Sequence, residues 1–413
     1  MKVLIVDECM APGGVETLRL NLVPELAKLC ESVVWALPLP YGEKLRQRIF
    51  ERDIPNLVIE NLTWPRGSIQ QMQVAALRRV PRAPILTDYT HRLIRQTVDL
   101  RIRRLAEKHH SDCCLTTFVF AQPPPASGLP LAGFICDVNP ILPEWIRQNI
   151  VRWAPAAQAI FGISEFTCRT LRELAPDAAS KIHAVPIATP PLAMAASPPG
   201  AYEADFYFPA AANEHKDHLV LFRACVELVR RGAKFKLVLS GPGTENFLPG
   251  GRFDQLVMEE TRWFLEAHLG ELDGAIRVGG NVTPAEVSAL YNSARCVVLP
   301  CRYEGFGLPL VEALQRGKRI LCSDIPAFRE QLVMYDAMDS AELIPSGDAV
   351  RLADAMERIL RDSSPPQIDV TELQRRMARW TWADVARRCY DRLCSISLTQ
   401  ESASGATAGM VTN

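Results

Sequence analysis

Net charge is nearly absent from this chain. Its 46 Lys and Arg residues stand against 47 Asp and Glu, leaving −1 at neutral pH. That balance argues against a nucleic-acid partner gripped over the whole surface, and against an acidic solvating tail. Long apolar runs are missing too, and no segment approaches the roughly 20 residues of a transmembrane helix. The first apolar stretch, Met1 to Val6, is followed at once by Asp7 and Glu8, so it is too short and too acidic for a secretion signal. The 12 cysteines include no C-x-x-C pair. Several, such as Cys296 and Cys322, stand in β-branched runs that read as buried strands. Reduced thiols in a cytosolic protein are expected, rather than disulfides or a zinc site. The G-x-G-x-x-G fingerprint is absent as well, and no acidic residue ends the second expected strand, so a dinucleotide is not the expected ligand.

What is present is enough apolar residue for large cores, 48% of 413 positions, and a length that expects two or more domains. The most informative stretch is Pro300 to Glu330, P-C-R-Y-E-G-F-G-L-P-L-V-E-A-L-Q-R-G-K-R-I-L-C-S-D-I-P-A-F-R-E. Cys296 to Leu299, just ahead of it, suits a buried parallel strand. Gly305 and Gly307 let the backbone approach a ligand. Pro309 suits a helix start, and Gly317 suits its end. Arg319 to Cys322 is the next strand. A glycine loop feeding a helix N-terminus presents N–H groups and the positive end of the helix dipole to one point, which suits an anion. Glu304 precedes the loop and Glu312 lies one to two turns into the helix. Carboxylates beside a phosphate are repelled by it and suit hydroxyl partners. A nucleotide sugar offers both kinds of group.

The segment E-G-F-G-L-P-L-V-E resembles the paired-glutamate motif of retaining, family-four glycosyltransferases with the GT-B fold, in which two glutamates are separated by seven residues. The resemblance implies that Glu312 binds the donor ribose and that Glu304 lies against the donor sugar or phosphate. It implies that the loop Gly305, Phe306, Gly307 and Leu308 holds the diphosphate, through the amides of Phe306, Gly307 and Leu308. Other segments extend the likeness. Lys2 to Val6, a glycine loop, a helix from about Val15 to Cys30 and Val33 to Leu37 make a β-α-β opening. Gly13 and Gly14 match the family's N-terminal glycine loop, which reaches the donor diphosphate from the opposite domain. Cys136-Asp137 stands where the family has a His-Asp or Tyr-Asp pair. Asp137 is thus either a residue near the sugar or acceptor hydroxyl or an aspartate capping the turn before Pro140. The family's histidine falls on Cys136. Lys216 matches the lysine that binds donor phosphate, a point cation suited to a diphosphate leaving group. The arginine often found about five residues earlier is replaced by Ala210-Ala211-Ala212. Ser164 is expected to cap a helix. Tyr291 lies on the helix that in the family borders the base.

The implied architecture is α/β, GT-B, with two Rossmann-like doubly wound domains facing a cleft. An acceptor-binding domain is expected over 1–195 and a nucleotide-sugar domain over 196–375. The proline-rich 186–200 stretch would link them. A helix over 376–396, overlapping one read from Thr371 to Leu393, would cross back to the first domain, ahead of a disordered tail at 397–413. The implied function is a retaining hexosyltransferase that moves a sugar, with GDP-mannose preferred, to a saccharide or lipid-linked saccharide in surface polysaccharide assembly. No cofactor, metal or nucleic acid is expected. Two alternatives stay open, a non-catalytic partner protein of the same fold and a nucleotide-sugar isomerase. Arg92, Arg95, Arg101, Arg103, Arg104 and Lys108 share one expected helix with an apolar stripe. They form either a solvated face or a patch for anionic lipid, which would place a cytoplasmic protein at the inner membrane face.

Overall fold

The computed structural model describes residues 1–8, 13–38, 54–63, 84–120, 122–189, 204–362 and 369–408, leaving out the side chains of 84–91 and 399–408. The chain divides into two compact units. One comprises Met1–Val138, Leu142–Ala188 and Thr381–Asn413, and the other Asn139–Ile141 and Thr189–Trp380. Most of the expected proline-rich linker, from residue 190, lies outside the described residues.

The first unit holds strands β1 (Lys2–Val6), β2 (Ser32–Leu37), β3 (Leu57–Asn61), β4 (Cys113–Thr116), β5 (Leu131–Ile135), β6 (Ala159–Gly162) and β7 (Ile182–Ala184). They form one parallel sheet in the order β3-β2-β1-β4-β5-β6-β7. Runs such as V-L-I-V and V-V-W-A-L are apolar at successive positions because both faces of a parallel sheet are covered. Trp35, Phe134, Trp153 and Phe161 are fully buried in this core. Helices α1 (Gly14–Leu29), α2 (Pro84–Lys108), α3 (Glu144–Ala156) and α4 (Glu165–Leu174) flank the sheet. Ser164 caps α4, its hydroxyl accepting from the Thr167 N–H at 2.9 Å. β4 ends at Thr116, and the next N–H, that of Thr117, donates to Asp7 at 2.9 Å.

The second unit runs β8 (Ala204–Pro209), α5 (His218–Arg230), β9 (Leu237–Ser240), α6 (Leu256–Ala267), β10 (Ile276–Val278), α7 (Pro284–Ser293) and β11 (Ala294–Leu299). It continues through α8 (Leu308–Gln315), β12 (Arg319–Ser323), α9 (Pro326–Met334), β13 (Ala341–Ile344), α10 (Ala349–Arg361) and α11 (Val370–Met377). Its parallel sheet has the order β10-β9-β8-β11-β12-β13. In each sheet the winding reverses beside the first strand, between β1 and β4 and between β8 and β11. Such a reversal opens a crevice at the carboxyl ends of the two strands, where open α/β sheets bind ligands.

Two expectations for the C-terminal region need correction. The helix read from Thr371 to Leu393 is two helices, α11 and α12 (Trp382–Ala408). Thr381 breaks it: its N–H and hydroxyl reach Asp384 at 2.8 and 2.6 Å, and the Asp384 N–H returns to its hydroxyl at 3.3 Å. This reciprocal cap starts a new helix, and the division between the units falls there. α12 then continues past Ser397, where a disordered tail was expected, to Ala408. The stretch T-Q-E-S-A-S-G-A-T-A has enough good helix formers to extend a helix already anchored by buried Val385, Cys389 and Leu393.

Candidate functional site

β8 and β11 lie side by side, with Phe206 opposite Cys296 and Tyr207 opposite Val297. The chain leaves both strands at the same edge of the sheet. The loop after β8 carries Lys216 and the loop after β11 carries Glu304, so residues 88 apart in sequence meet at the point of reversal. The Lys216 ammonium lies 2.5 Å from Glu304 Oε1, with side chains only 14% and 10% exposed. The Cys301 thiol lies 3.5 Å from the same oxygen. A single turn of 3₁₀ helix, Glu214–Lys216, presents the lysine and ends at Asp217, which caps α5.

Glu304 is followed by the turn into α8. Gly307 takes φ 95°, ψ 47°, and a Cβ there would sit 2.9 Å from two carbons of the buried Phe328 ring. Only glycine fits this combination of backbone and space. Among the described residues, the N–H groups of Phe306, Gly307 and Leu308 donate to no protein acceptor; Leu310 and Val311 turn back to the Gly307 carbonyl at 3.0 and 3.3 Å. Three undirected amides at the positive end of a helix make an anion cradle in chemical terms.

One turn further on, Glu312 is half-buried, and burial pushes its carboxyl above the usual range, offset in part by the Tyr291 hydroxyl and Arg316. Tyr291 packs edge-on against Tyr207 at 5.1 Å, and the Arg316 guanidinium lies 4.8 Å from the Tyr291 ring centre. Arg316 also donates to the Glu312 carbonyl at 2.9 Å, and the Tyr207 hydroxyl is shared with Ser240 at 2.7 Å. Glu312 therefore stands on a fixed aromatic platform.

The alanines in place of the family arginine lie against the loop after β9: the Ala210 and Ala212 N–H groups each donate at 2.9 Å, to Ser240 and Pro242. Sequence reasoning passed over Asp217, Arg302 and Arg316, although each flanks a residue it chose. The Asp217 carboxylate takes Arg302 Nε at 2.7 Å and Nη2 at 3.3 Å. His215, whose carbonyl accepts the Arg302 N–H at 2.8 Å, is held down to about 4 by burial and then by Lys216, so its ring is neutral at pH 7.

The remaining candidates belong to the first unit. Gly13 takes φ 90°, ψ −133° at the start of α1, Gly14 is the first helical residue, and both are exposed. Asp137 follows β5 and is half-buried. Burial pushes the neighbouring Cys136 thiol up to about 12, so it carries no charge at neutral pH and cannot take the part of a histidine base. A buried network escaped the sequence reading. Asp7 accepts from the Trp35 ring N–H at 2.9 Å and the Thr117 hydroxyl at 2.7 Å, and buried Arg19 lies 3.3 Å away. On α2, three of the basic residues are matched by acids. Arg95 pairs with Glu8 and Asp99, and Arg101 and Lys108 pair with Glu60. No helix among the described residues is long and apolar enough to cross a membrane.

Residues 196–379 match the family described as glycosyl transferases group 1. Among curated proteins, a phosphatidyl-myo-inositol mannosyltransferase of Mycolicibacterium smegmatis is 30% identical over 172 residues, 41% of this chain and 39% of that protein. The serotype-specific mannosyltransferase WbdA of Escherichia coli is 29% identical over 135 residues, 32% of this chain and 16% of that protein. The chain thus matches well under half the length of these relatives. Among solved structures, a glycosyltransferase from Rickettsia africae ESF-5 superposes with a TM-score of 0.66 at 13% identity, covering 96% of this chain and 98% of that one. An alpha,alpha-trehalose-phosphate synthase (UDP-forming) from Burkholderia vietnamiensis gives 0.61 at 14% identity, covering 100% and 99%. At these identities the structural likeness speaks for fold. The group 1 glycosyl transferase match thus lies within the second unit, residues 196–379, and the likeness over both units is one of fold, the GT-B fold with two Rossmann-like domains.

Proposed function

We propose that this protein transfers a hexose, mannose by preference, from a nucleoside-diphosphate donor to a saccharide or lipid-linked saccharide, with retention of anomeric configuration. The observation that carries the proposal is the Lys216–Glu304 pair, set beside the three undirected amides of Phe306, Gly307 and Leu308 where the second sheet reverses. Lys216 and these amides would hold the diphosphate and stabilise the charge it gains on leaving. Glu312, poised on Tyr291 and Arg316, would accept hydrogen bonds from the ribose hydroxyls, and Glu304 would meet the transferred sugar. A phosphate entering the site takes over part of the ammonium's bonding from Glu304 and frees that carboxylate for hydroxyls. The leaving diphosphate would receive the acceptor's proton on the same face, which accounts for retention without a protein nucleophile. Asp137 would lie near the sugar or acceptor hydroxyl, and Gly13 and Gly14 would serve the donor diphosphate. Lysine and helix end supply the positive charge, so donor turnover is expected to survive EDTA.

The mannosyltransferase names of the relatives support mannose, and the lipid named in the mycobacterial relative supports a lipid-linked acceptor. The neutral Cys136 and the alanines at 210–212 favour a second reading, a non-catalytic protein of the same fold. The test is a thermal-shift screen against GDP, UDP, ADP and dTDP, followed by donor hydrolysis. One diphosphate should raise the melting temperature with the logarithm of its concentration, and Glu312→Ala should flatten that response. No shift from any of the four would end the donor-site assignment. A shift without hydrolysis would favour the non-catalytic reading.

A further inference from the structure

Three consecutive residues after β8 are each tied to the loop after β11. The His215 carbonyl accepts from the Arg302 N–H at 2.8 Å and the Tyr303 N–H at 3.4 Å. Lys216 reaches Glu304. The Asp217 carboxylate receives two nitrogens of the Arg302 guanidinium. The middle tie is between two groups that a donor would engage; the outer two remain when it does. We propose that Arg302, acting through Asp217, is a positioning residue that fixes where the Lys216 ammonium stands. This rests on the donor-site reading above.

The physical need is visible in the turn. Asp217 takes φ 54°, ψ 51°, a left-handed conformation that aspartate tolerates better than most residues because its short side chain bonds locally. Its side chain is 2% exposed, and its capping bond from the Val220 N–H is long at 3.4 Å, so the buried carboxylate depends on a cation. The Arg302 side chain is 48% exposed, so it adds little to the core and acts through charge and its two-pronged geometry. A lysine has four flexible bonds and no directional fork. The place where its charge stands is decided by the backbone beneath it, one residue before Asp217.

The test uses the full chain and hydrolysis of GDP-mannose, UDP-glucose, ADP-glucose and dTDP-glucose, with melting temperature as a folding control. Compared are the unmodified protein, Arg302→Gln, Lys216→Ala and the double variant. Arg302→Gln is expected to lower kcat/KM about tenfold in the parent and less than about twofold once Lys216 is gone, because the arginine then has nothing to position. A merely structural role gives the same loss in both backgrounds and overturns the proposal, as does an unchanged rate in Arg302→Gln. If that variant does not fold, Arg302→Lys replaces it: a partial loss that vanishes without Lys216 supports the proposal, and an equal or absent loss overturns it. Full activity in both Lys216→Ala and Glu312→Ala, or no hydrolysis of any donor, brings down the donor site itself and this inference with it. Loss in those two with no effect of Arg302 brings down this inference alone.

Discussion

Replacing Gly307 by alanine tests whether the turn into α8 is built as described. Two costs can be read from the geometry. An L-residue held in the left-handed region costs roughly 1–2 kcal/mol. The new methyl would also lie 2.9 Å from the Cδ1 and Cε1 atoms of Phe328, whose ring is fully buried and has no free direction to move. Overpacking of that kind costs typically about 1–3 kcal/mol. The expected loss is therefore about 2–5 kcal/mol, a large part of the roughly 5–15 kcal/mol that holds a domain together. Urea unfolding of Gly307→Ala, Phe328→Leu and the double variant measures it. In the Phe328→Leu background the steric part should be relieved, leaving about 1–2 kcal/mol of backbone strain. The diphosphate-induced thermal shift of Gly307→Ala should shrink as well, because the amides on either side move with the turn. A loss below about 0.5 kcal/mol would refute both parts of the reasoning, and one equal in the two backgrounds would refute the steric part.

Two further outcomes are expected. His218 is buried between Phe208 and Phe247, at 4.8 and 5.0 Å, and its ring nitrogens have no partner among the described residues. Burial, then the neighbouring Lys216 and His215, hold it down to about 3, against 6.5 for a free imidazole. Below pH 6.5 the unfolded chain takes up a proton that the native fold refuses, so this site should lose stability at up to about 1.4 kcal/mol per pH unit until the folded value is passed. His218→Phe removes that titration, and its melting temperature should fall less between pH 7 and 4.5 than the parent's; an identical slope would be contrary to this account. The Cys136 thiol, raised to about 12 by burial, should be alkylated by iodoacetamide at pH 8 roughly a thousandfold more slowly than in the unfolded chain. Mass spectrometry of the labelled peptide gives the rate, and comparable labelling in both states would show the thiol to be exposed and ionisable.

The sequence by itself determined what depends on neighbours along the chain. The apolar runs named strands such as β1, β2, β11 and β12, the Ser164 cap and the glycine loop at 305–307 named helix starts, and a nine-residue string carried both glutamates and the family resemblance. Its misreadings were local too. One apolar periodicity hid the break at Thr381, where a reciprocal cap outweighs helix propensity, and small polar residues after Ser397 looked too weak to continue a helix that the buried turns before them hold in place. Only the tertiary structure decided which residues share a site. Lys216 meets Glu304, and Asp217 meets Arg302, because β8 and β11 are neighbours in a sheet whose winding reverses between them, and strand order is written in no local pattern. The same holds for charge: whether Cys136 or His218 can ionise depends on burial supplied by distant segments, and that is settled only once the chain has folded around them.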